Sequence, residues 1–457
     1  MKILITGATG LVGLKLVETL FLKGHTDIRI LSRNKENAKK KFPFPVELYE
    51  WNPSTNYIEP TALDNVNIVI HLAGENVAKG RWTHKKKKKI LDSRTQGTNF
   101  LMESIQKAKT KPQKIIGASA IGIYGDRNDE SLTEESLSGE GFLADVCKKW
   151  EDKIINFPIK EVQTHILRIG IILANNGGAL EQMLPPFKSG AGGKIGNGKQ
   201  FMSWVHIDDI IGQIIFLMDK DCSYKIYNGV SPLPVTNEFF TKTLGKVLKR
   251  PTLIPIPRFG LKILFGEMAD MLLGSQKVLP KNLMTEGYIF LYEELEKALR
   301  NILKYDTKGE KVFTKYQWTE KPPKEVFNFF ANEMNLEKIT PPHLNFKVLS
   351  KSTDVIQEGT IIDYKLNLHG IPLSWKSKIN TFKDQERFID EQVKGPYSKW
   401  VHTHDFIPLN KGTVIKDEVV YKVPFGLLGY LVAGSFVRND LRKIFNYRSD
   451  NLKKILD

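Results

Sequence analysis

The sequence predicts an α/β fold, a doubly wound parallel sheet, followed by a separate α+β domain. Three observations carry this. Over the first 230 residues, apolar strand-like runs alternate with helical stretches long enough for crossover connections. A glycine-rich segment, Gly7-Ala8-Thr9-Gly10-Leu11-Val12-Gly13, falls between the first of these runs and a helical pattern. After about Asn301, strands of period two replace the alternation and a long amphipathic helix closes the chain.

The expected strands of the first part are Ile3–Thr6, Ile28–Leu31, Val46–Trp51, Ile68–Leu72, Lys114–Ala118, His165–Leu173 and Lys225–Asn228. From about Pro251 to Leu303 the pattern is helical, with Leu261, Leu264, Met268, Met271 and Leu272 at core-packing spacing. In the last part, Pro322-Pro323 opens a helix over Lys324–Met334. Ile362, Tyr364, Leu366 and Leu368 then alternate with polar residues. Leu373, Trp375, Ile379, Trp400, His402, His404, Phe406, Ile415, Val419 and Tyr421 continue the phase, with acids and lysines on the opposite face. Val437, Leu441, Ile444, Phe445, Leu452 and Ile455 mark the closing helix. These features place domains at 1–305, with a helical segment near 250–300, and at 311–457.

The chain's 457 residues carry a net charge of +16, which divides into +10 over residues 1–310 and +6 over 311–457. That is near proportion to length, so neither part is a polyanion module and nucleic acid is not an expected partner. The run Lys85–Lys89 reads as a solvated helix face. Two cysteines, Cys147 and Cys222, make no disulfide framework and no metal-ligand spacing. The first strand begins at once and leaves no room for a signal peptide. No apolar run of about 18 residues exists, so stable membrane insertion is not expected. Together these point to the cytoplasm.

The glycine segment has the context a dinucleotide site requires. Gly7 permits the tight turn, Gly10 lets a pyrophosphate approach the backbone, and Gly13 lets helix and strand pack closely. Thr9, Leu11 and Val12 complete the loop at the helix N-terminus, which attracts phosphate. The second strand ends at Ser32-Arg33 with no acid. A carboxylate there would bind both ribose hydroxyls, whereas Ser32 and Arg33 suit a 2′-phosphate. NADP(H) is therefore the expected cofactor.

At this point ITGATGLVG, HLAGENVAKGRWT, LDSR, GASAIGIYGD, FLADVCKKWE, LRIGIIL and GGALEQMLPPFKSGAGGKIGNGKQFMSWVHIDD carry a resemblance. Residues 1–300 resemble the atypical extended short-chain dehydrogenase/reductases of the epimerase family, which have a Rossmann fold. The resemblance implies that Leu72, Ala73, Gly74, Arg94 and Leu173 line the cofactor, and that Pro185 to Ile195 form a lid. Glu75, Asn76, Arg81 and Trp82 lie beyond the C-terminal end of a strand, where substrates sit in such sheets.

Typical members of that class use a Tyr-x-x-x-Lys pair as acid and base. None of the 14 tyrosines here has lysine four positions on. Leu143 and Cys147 stand where the pair belongs when the helix is aligned on Glu151. Ser119, matching a carbonyl-orienting serine, and Tyr124, a phenol near the same cleft, are the remaining catalytic candidates. Arg168 is equally an ion-pair residue or a ligand, and His206-Ile207-Asp208-Asp209 reads as structural.

Residues 311–457, through GTIIDYKL, GPYSKWVHTHDF and DEVVYKVPFG, resemble START/Bet v 1-type helix-grip domains, which include polyketide cyclases. That implies a curved sheet around the long helix, enclosing a cavity for an apolar ligand. His402 and His404 share a strand face, but without a third ligand at useful spacing no metal is expected. Two functions follow. One is an NADP-dependent oxidoreductase or epimerase acting on a nucleotide-linked or hydrophobic small molecule. The other is a non-catalytic, NADP-dependent sensor or carrier of such a ligand.

Overall fold

The long glycine-punctuated alternation of the first part folds into an eight-stranded sheet. From edge to edge its strands are Ile226–Gly229, Gln163–Ile169, Lys114–Ala120, Ile68–His71, Ile3–Thr6, Ile28–Ser32, Glu47–Asn52 and Tyr57–Ile58. All neighbouring pairs are parallel except the last, which is antiparallel. The switch in strand order falls at Ile3–Thr6, which places the first glycine turn at the crevice where such sheets bind ligands. The computed structural model describes residues 1–159, 161–409 and 412–456. The side chains of residues 264, 265, 427, 428 and 431 also lie outside the description, among them that of Leu264.

Strand Ile3–Thr6 is buried throughout, as a central parallel strand covered on both faces must be. Helix Leu11–Leu22 buries Leu16, Val17, Leu20 and Phe21 against the sheet, and helices His84–Lys107 and Phe142–Ile155 bury Leu101, Met102, Trp150 and Ile154. Leu101, Met102, Trp150 and Ile154 meet Val69, Ile115 and Ile166 in one core cluster.

One expected strand is corrected. His165–Leu173 is two strands, Gln163–Ile169 and Ile171–Leu173, which belong to different sheets. The first pairs with Lys114–Ala120 and the second with Trp204–His206. Gly170 is the break. A Cβ there would stand 2.6 Å from both the Ser203 carbonyl oxygen and Val230 Cγ1, so only glycine lets the chain pass between the sheets.

The chain divides into two compact units, Met1–Phe42 with Val46–Lys304, and Tyr305–Asp457 with Pro43–Pro45. In the second, a seven-stranded antiparallel sheet runs in the order Lys311–Thr319, Gly412–Lys422, Lys399–Leu409, Arg387–Lys394, Ile371–Lys383, Ile361–Leu368 and Lys347–Lys351. The sheet and helix Pro323–Phe330 share a cluster of Phe327, Phe330, Phe388, Phe406 and Ile415. The expected helix over Lys324–Met334 stops early, at Phe330, and a second short helix, Met334–Lys338, follows. The closing helix spans Gly426–Leu456, and Leu441 and Phe445 pack on Val419 and Tyr421. Antiparallel sheet and long helix are the helix-grip arrangement. Among the described residues no helix is long and apolar enough to cross a membrane.

Gly170→Val tests the sheet break. Overpacking against backbone should cost about 2 kcal/mol, read as a fall in the urea midpoint at unchanged slope.

Candidate functional site

The turn after strand Ile3–Thr6 is shaped by what its glycines exclude. Gly7 has a φ of 69°, and a Cβ on it would lie 2.6 Å from the Leu72 backbone carbon. A Cβ on Gly13 would lie 2.5 Å from Ala8 Cα. Gly10 differs. Its Cβ would meet only the Gly7 carbonyl, at 3.3 Å, and the residue is exposed. Two glycines therefore serve close packing and the middle one keeps space open in front of the loop. Gly10 is also the N-cap of helix Leu11–Leu22, and no side chain caps that end. The first N–H groups there remain available, and the helix dipole favours an anion. Thr9, Leu11 and Val12, all half-buried, frame this opening. Lys41, which motif reading missed, donates to the Thr9 carbonyl at 3.2 Å and adds a cation beside the loop.

At the end of the second strand, Arg33 is exposed and residues 32–35 contain no acid. The Ser32 hydroxyl donates to the Asn34 carbonyl and accepts from its N–H, so Ser32 shapes the turn that presents Arg33.

The loop after Ile68–His71 is held from below. The Ala73 N–H donates to Thr6 Oγ1 (3.2 Å), and Thr6 Oγ1 is hydrogen-bonded to His71 Nδ1 (2.7 Å). His71 Nε2 is hydrogen-bonded in turn to Thr98 Oγ1 (2.8 Å). Burial pulls the His71 pKa down to about 4, so the ring is neutral. Leu72 and Ala73 are half-buried above it. Arg94 clamps the next turn. It donates to the Glu75 and Ile90 carbonyls, stacks 4.9 Å from the Trp150 ring centre, and lies where a Cβ on Gly74 would be 3.1 Å from its guanidinium carbon. Burial lowers its pKa. Arg94 thus positions backbone, with its charge largely covered.

Glu75 pairs with Lys86 at 2.6 Å, and that hydrogen bond holds its carboxyl below the usual range. One member of the Lys85–Lys89 run is therefore an ion-pair partner at the loop. Asn76 accepts from Ala78 N–H, and Trp82 donates to the Val77 carbonyl while its ring meets Phe142 edge-on at 5.3 Å. Arg81 donates to the Ile263 carbonyl. Residues 74–83 therefore hold Glu75, Asn76, Arg81 and Trp82 in one loop.

The catalytic candidates are placed differently from expectation. The Ser119 hydroxyl donates to Glu151 Oε1 at 2.6 Å, and Glu151 receives a bidentate pair from Arg168 at 2.9 and 2.8 Å. Arg168 Nη1 also donates to the Tyr124 hydroxyl (2.9 Å), which donates onward to Asn228 Oδ1 (2.8 Å). Glu134 accepts from the Asn228 N–H (2.8 Å). Every member is buried, and Tyr124 has no exposed surface. Burial raises the Tyr124 pKa, whereas Arg168 stays above its ordinary range because Glu151 outweighs the desolvation that opposes its charge. Tyr124, expected as a phenol near the cleft, is a buried hydroxyl with a partner on each side. Cys147 is also buried, and desolvation pushes its thiol up to about 11, which leaves no thiolate nucleophile at neutral pH.

The Leu173 side chain is fully buried among Leu180, Leu184 and Trp204. Pro185 and Pro186 lie inside helix Gly178–Lys188. Ile195 bridges to Ile256 and its N–H donates to Asn237 Oδ1 (2.7 Å), so the expected lid is anchored at its far end.

In the second unit, strands and closing helix line a cavity of about 180 Å³, partly open to solvent. Tyr364, Trp375, Tyr397, Trp400 and Phe445 line it, with Asp390, His402, His404 and Arg448 as polar exceptions. Phe406 packs behind the wall against Phe327 and Phe330.

Comparison with known proteins follows this division. Residues 3–142 match the NAD dependent epimerase/dehydratase family, 256–302 a domain of unknown function, and 319–446 the polyketide cyclase / dehydrase and lipid transport family. The chain is 37% identical over 313 residues to the Arabidopsis thaliana epimerase family protein SDR39U1 homolog, chloroplastic, covering 66% of this chain and 87% of that protein. It is 36% identical over 304 residues to epimerase family protein YfhF of Bacillus subtilis, with 66% and 98% covered. The crystal structure of human epimerase family protein SDR39U1 with NADPH is similar at a TM-score of 0.60 and 31% identity, over 66% of this chain and 99% of that one.

If Tyr124 and Glu151 are structural, their loss is read in stability. Tyr124→Phe, which leaves the Asn228 acceptor and one Arg168 donor short of a partner, should cost about 1–3 kcal/mol in urea unfolding. Glu151→Gln, which leaves the Arg168 charge uncompensated, should cost about 3–5 kcal/mol. Unchanged stability in both would remove the network from this role.

Proposed function

Because the chain belongs to the epimerase family, we propose that residues 1–305 form an NADP(H)-binding oxidoreductase or epimerase unit acting on a small molecule, and that residues 311–457 form a domain binding an apolar ligand. The single observation that carries the cofactor assignment is the uncapped helix start at Gly10, open in front and closed behind by Gly7 and Gly13. The pyrophosphate fits there on the free N–H groups, with Lys41 beside the loop. Arg33, exposed and with no acid among residues 32–35, receives the 2′-phosphate with the Ser32 turn supporting it. The relative solved with NADPH supports the same choice.

When bound, the nicotinamide supplies or accepts hydride. The chain's part is to place a substrate against it and to handle the proton. Ser119 and Tyr124 are occupied in the buried network, so the groups best placed for that proton are Glu75 and its partner Lys86, above the end of strand Ile68–His71. Asn76, Arg81 and Trp82 surround them. The same occupation of Ser119 and Tyr124 favours the second reading, an NADP-dependent sensor or carrier without turnover.

Calorimetric titration should show NADPH binding at least about tenfold tighter than NADH, equivalent to roughly 1.4 kcal/mol. Arg33→Asp should erase that preference and Gly10→Val should abolish binding with the fold retained. Equal affinities for both cofactors would sink the assignment. For the second domain, an environment-sensitive fatty-acid probe should bind the full chain, and Trp400→Ala should weaken it while Phe406→Ala acts only through stability. Absence of probe uptake by a folded protein would count against an apolar ligand.

A further inference from the structure

An apolar cavity needs no buried charge, yet the inner sheet face of the second unit carries four ionisable side chains together. His402 and His404 stand on strand Lys399–Leu409, Asp390 on Arg387–Lys394 and Asp417 on Gly412–Lys422. The strand register sets Asp390 opposite His402 and Asp417 opposite His404. Asp390 Oδ2 lies 3.2 Å from His404 Nε2 and 3.5 Å from His402 Nδ1. The other ring nitrogens face Asp417. His402 Nε2 is hydrogen-bonded to Asp417 Oδ1 at 3.0 Å, and His404 Nδ1 is 2.9 Å from the same oxygen but outside hydrogen-bond alignment. Asp390, His402 and His404 line the cavity, and Asp417 stands behind them.

We propose that Asp390, His402 and His404 form a divalent transition-metal site with open coordination positions facing the cavity. One ligand atom from each residue lies within 4.8 Å of the others. Two imidazoles and one carboxylate suit zinc or ferrous iron. At metal–ligand bonds of about 2.0–2.2 Å, neighbouring ligand atoms stand about 3–3.5 Å apart, the spacing seen from Asp390 to each ring. A metal-bound histidine ordinarily gives its far ring N–H to a carboxylate that fixes the ring; Asp417 is in that position for His402, and its same oxygen lies 2.9 Å from His404 Nδ1. Three protein ligands leave room for an exchangeable ligand.

Charge supports the same reading. In the metal-bound form both rings are neutral, so the two carboxylates carry two negative charges and Arg448, 3.5 Å from Asp417, returns one positive. A divalent ion leaves the cluster at net +1, a match for an anionic oxygen. Arg448 also lines the cavity, and its Nε has no hydrogen-bond partner among the described residues. The ligand class that fits is an apolar molecule bearing a carboxylate or enolate, one oxygen on the metal and another toward Arg448. This deepens the apolar-ligand reading of the second domain, and metal uptake is measured separately from probe uptake so that either can fail alone.

The test uses the full chain, stripped with chelator and titrated with Co²⁺ under visible spectroscopy, with Zn²⁺ competition and metal analysis. We expect one equivalent per chain. His402→Ala, His404→Ala and Asp390→Asn should each weaken it at least about 100-fold, and Asp417→Asn about 10–100-fold. Circular dichroism checks that each variant folds. X-ray absorption on the zinc-loaded wild-type protein, which needs no variant, should show two imidazoles in the metal shell. No uptake at micromolar metal, uptake indifferent to these substitutions in folded variants, or a shell without imidazole would overturn the proposal.

Discussion

The bidentate pair between Arg168 and Glu151 is the interaction on which the first unit's interior depends. Both side chains are over nine-tenths buried, so each charge has lost most of its water and must be matched by protein. Matching them recruits Ser119 from the strand Lys114–Ala120 and Tyr124 from the turn that follows it. Tyr124 in turn engages Asn228 of the edge strand Ile226–Gly229, and Asn228 engages Glu134. Four stretches of chain are thereby fixed at the C-terminal side of the sheet. Glu151 lies on helix Phe142–Ile155, the element that in typical members of the short-chain class presents a catalytic lysine. Here that helix presents Leu143 and Cys147 toward the same region, and a Cβ on Gly122 would stand 3.3 Å from Leu143 Cβ. Apolar contact and a closed ion pair occupy this region.

Much of the fold was legible because parallel strands leave a strong local mark. Ile3–Thr6 and Ile28–Ser32 are short apolar runs next to turn signals, and the three glycines have separate physical duties that the structure reproduces. Gly170 was not legible in the same way. The sequence around it is one continuous apolar run, and what splits that run is the Ser203 carbonyl and Val230, residues distant in sequence that only the folded chain brings near. Tyr124 shows the same limit. A tyrosine after a strand in a ligand-binding sheet reads as a cleft residue until Arg168 and Asn228, respectively 44 and 104 positions away, are seen to occupy its hydroxyl.

The second unit shows how strand register hides chemistry. Alternation in the sequence assigns the acids of its strands to the outer, wet face. Asp390 and Asp417 break that pattern and point inward, because each stands across from a histidine on the neighbouring strand. His402 and His404, two residues apart, read as an incomplete pair. Asp390 completes the set from a different strand, and no spacing rule along one chain segment reaches it.

The two buried charge clusters therefore differ in kind, and the difference bears on where chemistry can occur. Around Arg168 the guanidinium and Glu151 match each other, the surrounding hydroxyls and amide are engaged, Glu134 Oε2 has no partner among the described residues, and every member is buried. Such a cluster is buried and ties its members to one another. Around His402 and His404 two carboxylates face two imidazoles and one guanidinium, Arg448 keeps a donor without a partner among the described residues, and four of the side chains form part of a cavity wall. Desolvated charge left incompletely matched is costly to maintain. A fold that keeps it beside an aromatic cavity holds it ready for a partner that enters through the cavity.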